Sequence, residues 1–340
     1  MKPQIKSYFE NLNPKQLSLK NKIKVNSMSK LGQGASNLNY LVKTNQGKFI
    51  FRMNGNPKKK NKSKKEYNAL KLVKKENIAP KVYLIDDSKK SFNSDFLIIG
   101  YIEGHVCSKS KPYFNEKMIK KVARLLSKVH KIKITKKMKE LEQYCLDYND
   151  QLNSSNSYIR DIKKRIKNKK FLEMLENSFK NLRKKYIKKT TKSKLVFSQG
   201  DFHEWNIITN NNKLYLIDFE DAELTTQASS LAHIFVDFKL AILTKEQQRI
   251  FLEEYKKHIK TIKSLETEIE DFIPLKIMES FLWATNHALK IKNKELHEKF
   301  IEKNNHELDV NYAISCFKHA LKFKVIDKEY KEFNLRRLLK

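Results

Sequence analysis

Asp201 is followed by Phe202, His203, Glu204 and Trp205 and then by Asn206, in the stretch FSQGDFHEWN. Twelve residues further on, Asp218 closes the apolar run LYLI. A carboxylate in that position is costly unless it is paired or bound to a cation. Two carboxylates and a carboxamide at these spacings, in turns between strands, suit phosphoryl transfer. One carboxylate accepts the proton of an attacking hydroxyl, and the other two groups hold Mg2+ on the phosphates. The plainer alternative is three turn residues satisfied as Asx turns or caps.

The other half of such a centre must bind phosphates. The chain has only seven glycines, and Gly32 and Gly34 fall together in KLGQGASNLNYLVKT. Glycine lets backbone N–H groups approach a phosphate closely. An ordinary hairpin turn accounts for these two residues equally well, and the P-loop pattern G-x-x-x-x-G-K-[ST] is absent. Arg52 ends the strand KFIFR, from which a cation can reach the α- and β-phosphates of a nucleotide under that turn. Glu66 opens the following helix and can pair with Arg52, although a helix Glu among lysines reads first as a surface charge.

These residues need a scaffold. From Lys30 to Arg52 the pattern is strand, glycine turn, strand, TNQG hairpin, strand. A basic loop is expected from Pro57 to Lys65. Tyr67, Leu70 and Val73 then follow helical spacing, and KVYLIDD and DFLIIGYIEG read as two further strands. Beyond about Lys117 the chain turns helical, with Ile119, Val122, Leu125, Leu126 and Val129 on one face of MIKKVARLLSKVH. A β island at 194–221 interrupts the helices, which resume in SSLAHIFVDFKLAIL and continue through KEQQRIFLEEYKKHI, LKIMESFLWATNHALKI and NYAISCFKHALKF. The expectation is an α+β chain: a helical extension over 1–29, a β-rich lobe with one helix over 30–103, and a helical lobe over 104–340 carrying the island. The hinge is placed near Ile99–Gly104.

In order and type these motifs resemble the aminoglycoside phosphotransferase/choline kinase family, small-molecule relatives of the protein kinases. The family's H-G-D-x-x-x-x-N reads here Gln199-Gly200-Asp201 to Asn206, and its I-D-[FW]-[ED] reads Ile217-Asp218-Phe219-Glu220. LGQGASNLNYLV matches its glycine turn and leans toward the choline kinase branch. LLSKVH matches a helix ending at His130. The matches run from about residue 30 to about 235. The resemblance implies a protein-kinase-like bilobal fold and ATP with Mg2+ as cofactors. It implies Asp201 as catalytic base, Asn206 and Asp218 as metal ligands, and Glu220 as a helper for a second Mg2+. It implies a nucleotide site of Gly32, Gly34, Ser36, Arg52 and Glu66, with the Gly100 carbonyl and the Ile102 N–H meeting adenine. His130 and His203 are expected to support the loop rather than react. Two departures stand out: Gln199 replaces the usual His, and Ser230-Leu231-Ala232 replaces D-[LI]-A.

The acceptor is expected to be a small hydroxyl compound: choline or ethanolamine, an aminoglycoside, or a sugar. No long activation segment or A-P-E follows Asp218, which disfavours a peptide substrate. A cationic acceptor calls for carboxylates or an aromatic cage, for which Glu279, Phe281, Trp283 and Trp205 are candidates, with Trp283 equally at home in a core.

Composition bounds the rest. Lys plus Arg number 71 against 38 Asp plus Glu, a net charge of +33. Only eight of the 71 are Arg, and abundant Lys, Asn and Ile look like a compositional bias. Recognition of phosphates and guanines favours Arg forks. Lysine does bind phosphate backbones without sequence preference, so a non-catalytic kinase-like scaffold or a nucleic-acid-associated protein is the competing reading. Three cysteines without a C-x-x-C pair exclude a disulfide scaffold or zinc ribbon. No apolar run approaches the roughly 20 residues of a membrane span. With an N-terminus lacking a signal-peptide core, a cytoplasmic, reducing location is expected.

Overall fold

In a computed structural model, residues 1–31, 37–55, 62–107, 115–135, 138, 143–237, 243–295 and 305–340 are described. The chain forms two compact units, one of residues 1–132 and 199–222, the other of 133–198 and 223–340.

The first unit is built on an antiparallel sheet of order β1-β2-β3-β5-β4, formed by β1 (Val25–Lys30), β2 (Asn37–Thr44), β3 (Gly47–Asn54), β4 (Val82–Asp86) and β5 (Phe96–Gly100). The β2–β3 hairpin turns at Asn45-Gln46, with Thr44 opposite Gly47. Alternation along β3 sends Phe49, Phe51 and Met53 to one face. There they meet Ile5 and Phe9 of helix α1 (Lys2–Asn11), with Phe96 and Ile98 of β5. The same alternation turns Arg52 to the opposite face, where α2 (Lys62–Val73) supplies Glu66. Helix α3 (Glu116–His130) buries Ile119, Val122, Leu125, Leu126 and Val129, as its spacing predicts. A second small sheet joins β6 (His105–Val106), β9 (Ile207–Asn210) and β10 (Lys213–Leu216) in the order β10-β9-β6.

The second unit centres on the long helix α8 (Leu265–Lys292), buried on most of its circumference. Around it pack α4 (Tyr148–Lys163), α6 (Gln227–Asp237) and α9 (Asn305–Lys322). Helices α5 (Lys169–Tyr186), α7 (Lys245–His258) and α10 (Leu335–Leu339) complete the helical part. A three-stranded sheet of order β7-β11-β8 uses β7 (Gln143–Cys145), β8 (Leu195–Ser198) and β11 (Glu223–Thr226). Among the described residues no helix is long and apolar enough to cross a membrane.

The mixed helix-and-sheet class, with an antiparallel sheet before a helical remainder, is as expected. Three local readings change. The helical extension expected over 1–29 is an α-helix at Lys2–Asn11 and a 3-10 turn at Pro14–Leu17, and Val25–Lys30 joins the sheet. Helix α2 begins at Lys62, inside the stretch read as a basic loop. The β island extends past its expected end at residue 221, because β8 pairs with β11, while β9 pairs with β10 in a separate sheet. The sequence ELTT of β11 is short and polar, without the alternation that marks a strand.

Candidate active site

Arg52 is the centre of the site. It lies on β3 between β2 and β5, opposite Asn39 and Leu97, and is only 8% exposed. Its Nε donates to Glu66 Oε2 at 2.8 Å. Its Nη2 pairs with Asp218 Oδ1 and lies 3.4 Å from Glu220 Oε2. Three carboxylates from two remote segments thus share one guanidinium fork, the geometry Arg is built for. Glu66 is 3% exposed, so the surface-charge reading of this residue does not hold.

The charges are unequal in number, and burial sharpens the imbalance. Burial pushes Glu66 up, to about 7, with Asp218 and Glu220 adding to the push against the pull of Arg52. Asp218 is likewise raised, to about 6, by burial and by Glu220, Asp201 and Asp221, again against Arg52. Glu220 goes the other way. Despite its burial, Arg52, then Lys62 and Asn37, hold it below its ordinary value. Its Oε1 pairs with Lys62 Nζ at 2.7 Å, and its Oε2 accepts from Asn37 Nδ2 at 2.5 Å. A site with more carboxylate than cation favours an added positive charge. Oxygen atoms of Glu66, Asp218 and Glu220 lie within 4.8 Å of one another. Asp218 and Glu220 offer the oxygen ligands that Mg2+ takes, whereas Glu66 of this set is engaged by Arg52 and Asn206 is not among the three.

The turn that carries Asp201 is tightly tied. Asn206 Nδ2 donates to the Asp201 carbonyl and to Asp201 Oδ2, both at 2.9 Å. That commits the nitrogen and leaves the carboxamide oxygen as the atom that can serve a cation. His203 Nδ1 accepts the Trp205 N–H at 3.2 Å, so the proton sits on Nε2, which lies 3.1 Å from Asp201 Oδ2. His203 therefore orients Asp201. His130 is buried at the end of α3, and burial lowers it to about 3, which keeps it neutral.

Gln199 takes up the work of joining the two motifs. Its Nε2 donates to the Ile217 carbonyl at 3.0 Å and to the Asp218 carbonyl, while its Oε1 accepts the Asp201 N–H at 3.0 Å. One side chain thereby fastens the Asp201 turn to the Asp218 turn, using the donor and the acceptor that a carboxamide offers. Asp218 itself has φ +61°, a left-handed conformation that Asp tolerates better than most residues. Replacing Gln199 by Leu would orphan two carbonyls and one N–H in a buried place. At about 1–3 kcal/mol for each unsatisfied group, Gln199→Leu is expected to lower the urea midpoint clearly. Gln199→His, with one donor and one acceptor, should recover most of that loss.

Gly200 has φ +86°, and a Cβ there would lie 2.0 Å from the Asp221 carbonyl oxygen. No side-chain shift relieves a backbone clash. Gly200→Ala should cost more than about 2 kcal/mol of stability, in the range of strained backbone substitutions, which chemical denaturation will measure.

The remaining expected residues fare differently. Gly32, Gly34 and Ser36 lie outside the described residues. Gly100 ends β5, its N–H donating to the Lys81 carbonyl at 2.7 Å, and Ile102 follows in the stretch 101–103, outside helix and strand. Of the acceptor candidates, Phe281 is fully buried in the core of the second unit. Glu279 is buried too, paired with Lys276 at 3.4 Å and accepting from Ser154 at 2.7 Å. Trp205 and Trp283 are exposed, and Trp283 stacks on His287. Three participants escape sequence reasoning: Asn37, Lys62 and the Gln199 bridge. The one available signal was a lysine four residues before Glu66, hidden in a lysine-rich run.

A phosphotransferase is what this fold and these paired motifs define. The model of the phosphotransferase enzyme family matches residues 27–261, and the chain belongs to that family. Solved structures agree on the fold. An ethanolamine kinase of Plasmodium vivax superposes with TM-score 0.62 at 18% identity, covering 92% of this chain and 84% of that one. A choline kinase of Cryptosporidium parvum Iowa II gives 0.64 at 14%, covering 96% and 98%. The gentamicin complex of APH(2″)-IIa gives 0.61 at 19%, covering 85% and 95%. No curated protein sequence matches the chain.

Proposed function

We propose that the protein transfers the γ-phosphoryl group of ATP to a hydroxyl of a small acceptor. The observation that carries this reading is the convergence on Arg52: Glu66 from α2 and Asp218 from the turn after β10 meet on one buried guanidinium, while Gln199 links that turn to Asp201.

In this reading Asp201 accepts the proton as the acceptor oxygen attacks the γ-phosphorus, the bond to the bridging oxygen breaks, and ADP leaves. His203 and Asn206 fix the carboxylate of Asp201 for that proton. Asn206 and Asp218 would hold Mg2+, with Glu220 available to a second ion, and bound Mg2+ would neutralise charge developing on the phosphates. Arg52 moves from carboxylates to phosphate oxygens, with Glu66 keeping it aligned. Gly32, Gly34 and Ser36 would serve the phosphates, and the Gly100 carbonyl and Ile102 N–H would meet adenine. Positioning and charge neutralisation supply most of the rate.

The solved neighbours named for ethanolamine, choline and gentamicin support choline or ethanolamine, or an aminoglycoside, as acceptor class; a sugar rests on the motif resemblance alone. The competing reading, a non-catalytic or nucleic-acid-binding scaffold, drew on Gln199 and on the +33 charge. The three bonds of Gln199 weaken its first support. ADP release from MgATP across choline, ethanolamine, aminoglycosides and common sugars tests the reading. An acceptor-dependent rate is expected for one class, and release that never depends on any acceptor would contradict it.

A further inference from the structure

We propose that Lys62 is a second phosphate-binding cation, acting beside Arg52. This rests on the reading of the Arg52 site as a nucleotide-phosphate site. Glu220 carries the argument, because its carboxylate is straddled: Lys62 Nζ holds Oε1 at 2.7 Å, while Arg52 Nη2 at 3.4 Å and Asn37 Nδ2 at 2.5 Å hold Oε2. A carboxylate and the edge of a phosphate present two anionic oxygens at similar spacing. Groups that straddle the first can straddle the second.

The two elements that carry these cations are also tied to each other. Asp95 Oδ1 accepts from Asn54 Nδ2 at 3.2 Å, two residues beyond Arg52 on β3. Its Oδ2 accepts the Ser63 N–H at 3.3 Å, one residue beyond Lys62. Asn54, Asp95 and Ser63 are all buried, so this link fastens the start of α2 to the end of β3. Lys62 gains nothing from its place on the helix. It is the first residue of α2, where the helix dipole disfavours a cation, and the first turn contains no acidic residue. Its side chain is only 16% exposed. An ammonium in such a place is explained by an anion, and Glu220 marks where the anion goes.

A purely structural Lys62–Glu220 pair would give a different result in a binding series. ATP, ADP, AMP and adenosine would be measured by displacement of a fluorescent ATP analogue from the full-length wild type, Lys62→Met and Lys62→Arg. Glu220 keeps Arg52 and Asn37 when Lys62 is lost, so Lys62→Met leaves no isolated buried charge. The expected result is a loss of about tenfold in ATP affinity for Lys62→Met, in line with one charge-assisted contact. Adenosine affinity should be unchanged, and Lys62→Arg should bind ATP within about threefold of wild type. Lys62→Met binding ATP like the wild type, or losing ATP and adenosine equally, would overturn the inference alone. A wild type that binds no adenine nucleotide would overturn it together with the nucleotide-site reading.

Discussion

Asp218→Ala is expected to abolish MgATP turnover, a drop of at least about 10³-fold, or about 4 kcal/mol on the barrier at 1.36 kcal/mol per tenfold. Asp218 is the carboxylate that both pairs with Arg52 and shares the oxygen cluster with Glu66 and Glu220. Its loss removes the assigned metal ligand while leaving Arg52 two other carboxylates, so the buried guanidinium stays compensated. The fold should therefore survive. Some destabilisation will come from the backbone, since a left-handed conformation costs an ordinary residue about 1–2 kcal/mol. Asp218→Asn separates the two effects, because Asn tolerates φ +61° and lacks the charge. Steady-state ADP release and thermal unfolding, run on both variants, check the prediction. Turnover within tenfold of wild type in a folded Asp218→Asn protein would remove Asp218 from the metal site.

Asp201→Asn is expected to lower kcat by about 10²–10⁴-fold, the range for removal of a general base. The affinity for ATP should stay within about threefold, because no contact joins the Asp201 side chain to Arg52 among those described. The exchange is isosteric, and Asn206 Nδ2 and His203 Nε2–H can still donate to an oxygen at that position. What is lost is the capacity to take a proton. Single-turnover rates with independently measured nucleotide binding will separate the two. A parallel loss of binding would assign Asp201 to the nucleotide instead.

The site was legible in the sequence where chemistry and spacing coincide. Asp201, Asn206 and Asp218 sit at intervals that few structural roles require, and one of the chain's seven glycines, Gly200, directly precedes Asp201. Arg52 and Glu66 were harder. A charged strand end and a helix Glu among lysines are ordinary surface features, and only the pleat that turns Arg52 away from Phe51 and toward α2 makes them partners. Lys62 was hidden by its surroundings, since one lysine in a lysine run carries no mark of burial. The left-handed backbone at Asp218 was not legible, because Asp adopts that conformation without the glycine that would announce it. The failure at β11 has the same character. ELTT lacks an alternating apolar face and is a strand because β7 and β8 supply partners on both sides. Gln199 shows the opposite case. It departs from the family pattern, yet a Gln amide can donate and accept, and here the carboxamide makes three bonds across the two motifs.

The measurement closest to the central claim follows the phosphoryl group itself. Phosphorus NMR of MgATP with the acceptor that stimulates ADP release, using wild type and Asp201→Asn in parallel, identifies where the γ-phosphate goes. The account predicts a phosphomonoester resonance that grows in step with ADP in the wild type and is nearly absent in the variant. Inorganic phosphate as the sole new species, or an equal phosphomonoester rate in Asp201→Asn, would contradict it.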